Sequence, residues 1–205
     1  TELAAYGFEM EVEGRAKGID SGIQSAFIKG GTLVHLIKVA AMKPPVSGIP
    51  ANAQLKVKLE IDVDPPAGAE TEIKYLLLPI ASAVRLYDLP SLFAGKLHAL
   101  LCRKWKNRVK GRDFYDYIWY LSRGIAPNLA HLEQRMRQSG HWNTDRHLDA
   151  EMLTGLLHQR FAEVDFQQAA SEVRLFVENP ASLDAWSEVF FRSVSQIDRF
   201  SDRNK

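Results

Sequence analysis

The residues best equipped for chemistry lie between Lys96 and Tyr120, where the chain reads K-L-H-A-L-L-C-R-K-W-K-N-R-V-K-G-R-D-F-Y-D-Y-I-W-Y. Lys96 to Arg112 carries seven Lys/Arg and no acid, and Asp113 and Asp116 follow it, three residues apart. A lysine inside an apolar helical pattern, followed by a carboxylate pair at the start of the next segment, is a layout suited to handling phosphate. Ammonium and guanidinium groups neutralise phosphate oxygens through charge-assisted hydrogen bonds. Lys96, Arg103, Lys110 and Arg112 are the candidate phosphate contacts.

The lysine must be positioned by a helix. Leu92, Phe93, Leu97, Leu100 and Leu101 recur at three- and four-residue steps, which predicts a helix over 89–104. Asp88 stands where an N-cap belongs, and Pro90 falls in the first turn, where proline is tolerated. At 3.6 residues per turn Leu89, Phe93, Lys96, Leu100 and Arg103 share a side, so Lys96 sits on or beside the buried stripe. The structural alternative is a snorkelling stem that covers apolar surface. Asp113 and Asp116 share a helix face with Tyr117 and Tyr120. One of the two also suits a purely structural part, as an N-cap or a first-turn acid.

Further carboxylates come from a strand. Leu55, Val57, Leu59, Ile61 and Val63 alternate with Lys56, Lys58, Glu60, Asp62 and Asp64, and Pro65-Pro66 closes the run. Glu60, Asp62 and Asp64 then point the same way and offer the oxygen ligands that Mg²⁺ prefers. The alternative is an exposed strand end before a turn. Strand carboxylates, a helix lysine and a following Asp, in that order, are the parts of a nucleotidyl-transfer site. Such a site requires Lys96 and Asp113 to converge over the end of the strand that bears Glu60 and Asp62.

Other chemistries find less support. None of the six His has zinc-ligand spacing with another His or with the single Cys102. Gly30-Gly31-Thr32 invites a phosphate-loop reading but lacks the rest of that motif. A lone cysteine excludes an internal disulfide framework, suits a reducing cytoplasm and fits a small core residue on the Lys96 helix. A net charge of +1 gives no global attraction to polyanions, so any nucleotide or RNA affinity must be local. No apolar run reaches the roughly 20 residues of a membrane span.

The surrounding elements divide in two. Strands are expected at Phe8–Glu13, Ile23–Ile28, Gln54–Asp64, Ile73–Ile80 and Val84–Tyr87, with a short helix over Thr32–Val39. Helices are expected at 89–104, 113–123, 128–139, 147–161, 166–178 and 181–198. The last carries Leu183, Trp186, Val189, Phe190, Val194 and Ile197 as its apolar side. The fold class is therefore α+β: an N-terminal mixed or antiparallel sheet over 1–88, then a helical bundle over 89–205.

Several segments together resemble the AbiEii/AbiGii-type nucleotidyltransferase toxins, a branch of the DNA polymerase β-like nucleotidyltransferase fold. They are Gly7-Phe8-Glu9, the Ser25-Ala26-Phe27 region, K-V-K-L-E-I-D-V-D-P-P (56–66), D-L-P-S-L-F-A-G-K-L-H-A-L-L (88–101) and K-G-R-D-F-Y-D-Y (110–117). The similarity covers about residues 5–125. It implies a nucleoside triphosphate substrate, Mg²⁺, transfer of a nucleotide to an acceptor (RNA in some members), and a cognate antitoxin, often in abortive phage infection. It matches Lys96 to the family's motif lysine, Asp113 to the Asp of its last motif, and Glu60 or Asp62 to the third strand carboxylate. The family's glycine-serine or glycine-glycine turn followed by Asp-x-Asp has no counterpart. The chain thus resembles the family with that N-terminal part removed, as a fragment or a natural truncation. The expectation is weak or absent transfer by these 205 residues, since two of three metal carboxylates are missing. The alternative is a non-catalytic nucleotide-, RNA- or antitoxin-binding protein that retains the fold. In that case Lys104, Lys106 and Arg108 join the phosphate contacts, and Trp105 is available to stack on a base.

Overall fold

The computed structural model describes residues 11–15, 23–31, 54–78, 80–104 and 109–200; up to residue 61 it describes the backbone alone. The fold class is α+β, with antiparallel strands first and helices after them. The chain divides into two compact units, Thr1–Pro65 and Pro66–Lys205.

In the first unit, β1 (Glu11–Arg15), β2 (Ile23–Gly31) and β3 (Gln54–Asp62) form an antiparallel meander in the order β1-β2-β3. The alternation that predicted β3 sets its register, with Ser25 opposite Glu60 and Ile23 opposite Asp62. Gly30 and Gly31 pair with Leu55 and Gln54. They are strand residues, which removes the phosphate-loop reading from the pair; Thr32 lies outside the described residues. So do Phe8 to Met10, the proposed helix over Thr32–Val39, and the Trp105–Arg108 segment. Beyond β3 the backbone bends, and the Asp64 N–H donates to Asp62 Oδ1 at 3.1 Å.

The second unit opens on a strap, residues 66–70, clipped to two helices. β4 (Thr71–Leu76) and β5 (Ser82–Tyr87) form a hairpin that leads into α1 (Leu89–Cys102). The helices α2 (Gly111–Ser122), α3 (Leu129–Gln138), α4 (Ala150–Ala162), α5 (Phe166–Val173) and α6 (Glu188–Val194) follow. Ser91 Oγ accepts from the Glu70 N–H at 2.9 Å, Asn128 Nδ2 donates to the Gly68 carbonyl at 2.8 Å, and His131 Nδ1 lies 2.9 Å from the Ala67 carbonyl. Gly68 takes a φ of 80° here, against the backbone of His131, a conformation that disfavours any side chain.

Local chemistry fixes the helix starts. Asp88 caps α1 through Ser91 N–H, Asn128 caps α3, Asp149 caps α4, Asp165 caps α5 and Ser187 caps α6. The start of α2 differs. Asp113 lies in its first turn rather than at its cap, because the helix begins two residues earlier at Gly111. Carboxylate and amide groups of α5 serve that end instead: the Gly111 N–H donates to Glu172 Oε2, and the Val109 N–H donates to Gln168 Oε1 at 2.8 Å. A Cβ on Gly111 would stand 1.9 Å from the Ala169 carbonyl oxygen, so only glycine allows this approach.

The core joins Phe93, Leu97 and Leu100 of α1 to Phe114 and Tyr117 of α2, Leu132 of α3, Leu157 and Phe161 of α4, and Phe191 of α6. Phe191 and Phe166 stack at 4.7 Å, as do Phe93 and Tyr120. Burial raises the Tyr117 hydroxyl's pKa above its ordinary value, and that hydroxyl meets Ser195 Oγ. The expected single helix over 181–198 is instead a 3-10 turn at Pro180–Ala185, α6, and a second 3-10 turn at Ile197–Arg199. Trp186, with extended backbone, ends the first piece, and Ser187, extended as well, caps the next. The break turns Phe191 inward at 0% exposure and leaves Val189, assigned to the apolar side above, 78% exposed. Likewise α5 stops at Val173, and residues 174–176 tighten into a 3-10 turn.

Candidate functional site

Lys96 of α1 and Arg103, the residue that follows the helix, meet two carboxylates of α2. Lys96 Nζ donates to Asp116 Oδ2 at 2.7 Å, and Arg103 Nη1 donates to Asp113 Oδ2 at 2.6 Å. The three-residue step keeps both acids on one side of α2, and Arg103, whose backbone is extended beyond α1, pairs with the deeper of them. The two pairs differ in depth. The Lys96 and Asp116 side chains are 47% and 31% exposed; that of Asp113 is only 5% exposed, beneath an Arg103 that is 36% exposed.

Burial pushes the Asp113 carboxyl above the ordinary carboxylate range; Arg103, Arg112 and Lys96 pull it down, while Asp116 adds to the rise. Lys96 and Asp113 thus belong to one electrostatic cluster, although each has the other's neighbour as its hydrogen-bond partner. Arg112 is exposed and Lys110 half-buried at the start of α2. The Lys110 carbonyl accepts the Asp113 N–H at 3.0 Å.

Groups from distant parts of the chain hold this arrangement still. Arg160 of α4 donates from Nε to the Leu100 carbonyl at 3.0 Å and from Nη2 to the Arg103 carbonyl at 2.6 Å. Those are acceptors that the end of α1 leaves unused. Sequence reading missed Arg160 and Glu172, since both act across about sixty residues with no local spacing to mark them. Cys102 is half-buried at the same helix end, and burial pushes its thiol up to about 11, which suits a packed residue rather than a nucleophile.

The strand carboxylates belong to the first unit. Asp62 is exposed at the end of β3; the Glu60 side chain lies outside what the structure describes. Among the described residues, no group of three or more His, Cys, Asp and Glu could hold a metal ion, and no helix is long and apolar enough to cross a membrane.

A family model described as "Nucleotidyl transferase AbiEii toxin, Type IV TA system" matches residues 3–192. The chain belongs to the AbiEii nucleotidyltransferase toxin family. The match runs past the segments that carried the resemblance and takes in the helices up to and including most of α6. No curated protein and no solved structure matches the chain.

Proposed function

We propose that this chain handles a nucleoside triphosphate and transfers its nucleotide to an RNA acceptor, in the cytoplasm, under the restraint of a cognate antitoxin, as part of a defence against phage. The observation that carries the reading is the pairing of Lys96 and Arg103 with two carboxylates of unequal burial. Lys96 is half-exposed in an ion pair of little intrinsic strength. An incoming phosphate offers the same charge as Asp116 with more acceptor oxygens, so the ammonium can exchange one for the other. Arg103 is held by a carboxylate that scarcely meets water, which fixes its guanidinium in place. Asp113 then acts as a positioning residue, and Lys96 and Arg103 touch the phosphates, with Lys110 and Arg112 beside them.

In the reaction, an acceptor hydroxyl loses its proton to solvent water as its oxygen forms a bond to the α-phosphorus, the bond from that phosphorus to the bridging oxygen breaks, and pyrophosphate leaves. Negative charge moves onto the leaving group, where the ammonium and guanidinium stabilise it. By the resemblance, Glu60 and Asp62 would supply oxygen donors of the kind Mg²⁺ prefers, and the ion, when bound, would neutralise phosphate charge. The same resemblance lacks an Asp-x-Asp after a glycine turn, so transfer by these 205 residues is expected to be weak.

That missing pair favours a second reading, a binder of nucleotide, RNA or antitoxin that performs no transfer. Incubating the chain with Mg²⁺, total RNA and each α-³²P-labelled triphosphate separates the two. Weak, Mg²⁺-dependent labelling that disappears in Lys96→Ala and Asp62→Ala supports transfer. Strong labelling lost in the same variants keeps the site and overturns the expectation of weakness. Labelling that survives both variants overturns the site. No labelling, with triphosphate still bound, establishes the binder.

A further inference from the structure

We propose that the exposed stripe of α2 formed by Arg112, Tyr115, Trp119 and Arg123 is where an unpaired stretch of the RNA acceptor lies. The inference rests on the acceptor class proposed above and adds the surface that would recognise it. Steps of three, four and four residues put these side chains on one face of the helix. Arg112, Tyr115 and Arg123 are exposed and Trp119 is half-buried. The Arg123 guanidinium carbon lies 3.9 Å from the centre of the Trp119 ring.

Alternating arginines and rings of this kind match a single strand in two respects. Guanidinium groups meet phosphates, and aromatic faces stack on unpaired bases whatever their identity. The charge balance also fits. Asp116, on the same face, is neutralised by Lys96 at 2.7 Å, and Arg112 interacts with Asp113 only through its charge, without a direct ion pair among the described residues. The eleven steps from Arg112 to Arg123 cover about 16 Å at 1.5 Å per residue. At about 3.4 Å per nucleotide, that length takes roughly five stacked bases.

The stripe touches the phosphate cluster at two points. Arg112 adjoins Asp113 in the sequence, and Lys96 reaches the stripe through Asp116. A strand laid along α2 would therefore deliver its end to Lys96 and Arg103. A duplex offers its bases only edge-on and its rings only at the ends, so it would gain little from Tyr115 and Trp119.

The test is fluorescence anisotropy of a labelled single-stranded RNA 12-mer with the full chain, without triphosphate or Mg²⁺. Tyr115→Ala and Arg123→Ala should each weaken binding roughly five- to ten-fold, and Trp119→Phe less, because a ring remains. The same RNA annealed to its complement should bind far more weakly. Tyr115 and Arg123 are surface positions, so unchanged circular dichroism melts are expected to confirm that their variants fold. Wild-type affinity in both variants, equal affinity for duplex, or no RNA binding at all overturns the stripe. Loss of RNA binding in the variants of a chain that transfers no nucleotide would retain the stripe and end the transfer reading. Unaltered transfer to RNA by the stripe variants would do the reverse.

Discussion

Asp113 and Glu133 meet water equally little, each 4% exposed, but Asp113 lies deeper in the protein, and their acidities move in opposite directions. At Asp113 burial dominates and raises the carboxyl, with Arg103 and Arg112 only partly offsetting it. Burial pushes the Glu133 carboxyl up as well, but the Leu148 N–H, Arg137 and His147 together outweigh it and hold the group below its ordinary range. The geometry explains why. Glu133 Oε2 accepts the Leu148 N–H at 2.8 Å and lies 3.3 Å from His147 Nδ1, while Oε1 accepts from Arg137 Nε at 2.9 Å. Both its oxygens are used: Oε2 ties the loop before α4 back onto α3, and Oε1 holds Arg137 of the same helix. Asp113 works under strain of charge, as carboxylates of functional sites often do. On the function proposed above, the difference separates a carboxylate that holds the fold from one that holds a guanidinium for use.

The largest stability effect should come from the first kind. Glu133→Leu leaves the Leu148 N–H buried without its acceptor and frees the residues that it anchors. It should cost about 2–3 kcal/mol. All four tryptophans lie between residues 105 and 186, within the second unit, so urea unfolding followed by tryptophan fluorescence reports on that unit. A loss under about 0.5 kcal/mol would mean that the network around Glu133 carries no load.

Much of this was legible before the fold was known, and for a physical reason. Helix periodicity and side-chain caps are local, so the limits of α1 and the capping by Asp88 could be read from neighbouring residues. Lys96, Asp113 and Asp116 stood out because charge inside an apolar period is itself unusual. Their pairing was not legible, since which cation meets which acid depends on how α1 and α2 cross. Arg160, Glu172 and Gln168 gave no sign at all, for they serve backbone groups about sixty residues away. The break at Ser187 was missed because an apolar pattern persisted across it, and only the extended backbone of Trp186 and Ser187 redirects the chain.

The middle effect concerns Arg103 and carries a pH signature. Arg103→Met leaves Asp113 buried with its main partner gone. Because Arg103 is about one-third exposed, the cost should fall below that of a sealed pair, at about 1–2 kcal/mol near neutral pH. Asp113→Asn should be nearly neutral alone, and the double variant should recover most of the loss. The sign follows from linkage. The Asp113 folded-state pKa is raised above 3.8, so the protonated form favours the fold. Its contribution is present below that value and is lost as pH rises through the raised one. The Arg103→Met penalty should therefore shrink on acidification. Glu133 behaves inversely: its contribution is present above its ordinary 4.5 and is lost as pH falls through its lowered value. An Arg103→Met penalty that grows towards acid pH would assign the burden to some other group.

The smallest stability effect belongs to the exposed pair, and there the comparison becomes sharpest. Lys96→Met should change stability by less than about 0.5 kcal/mol, the usual worth of a surface ion pair, while triphosphate binding falls at least ten-fold. Asp116→Asn distinguishes a competitor from a partner. If Asp116 merely holds the ammonium until a phosphate arrives, removing its charge frees Lys96, and triphosphate binds roughly two- to five-fold more tightly. If Asp116 instead orients Lys96 as Asp113 orients Arg103, the same substitution weakens binding alongside Lys96→Met. Isothermal titration of the two variants at one salt concentration decides it. The expected outcome is the opposed pair of shifts, because a half-exposed ammonium on a four-carbon stem gains little orientation from a single carboxylate.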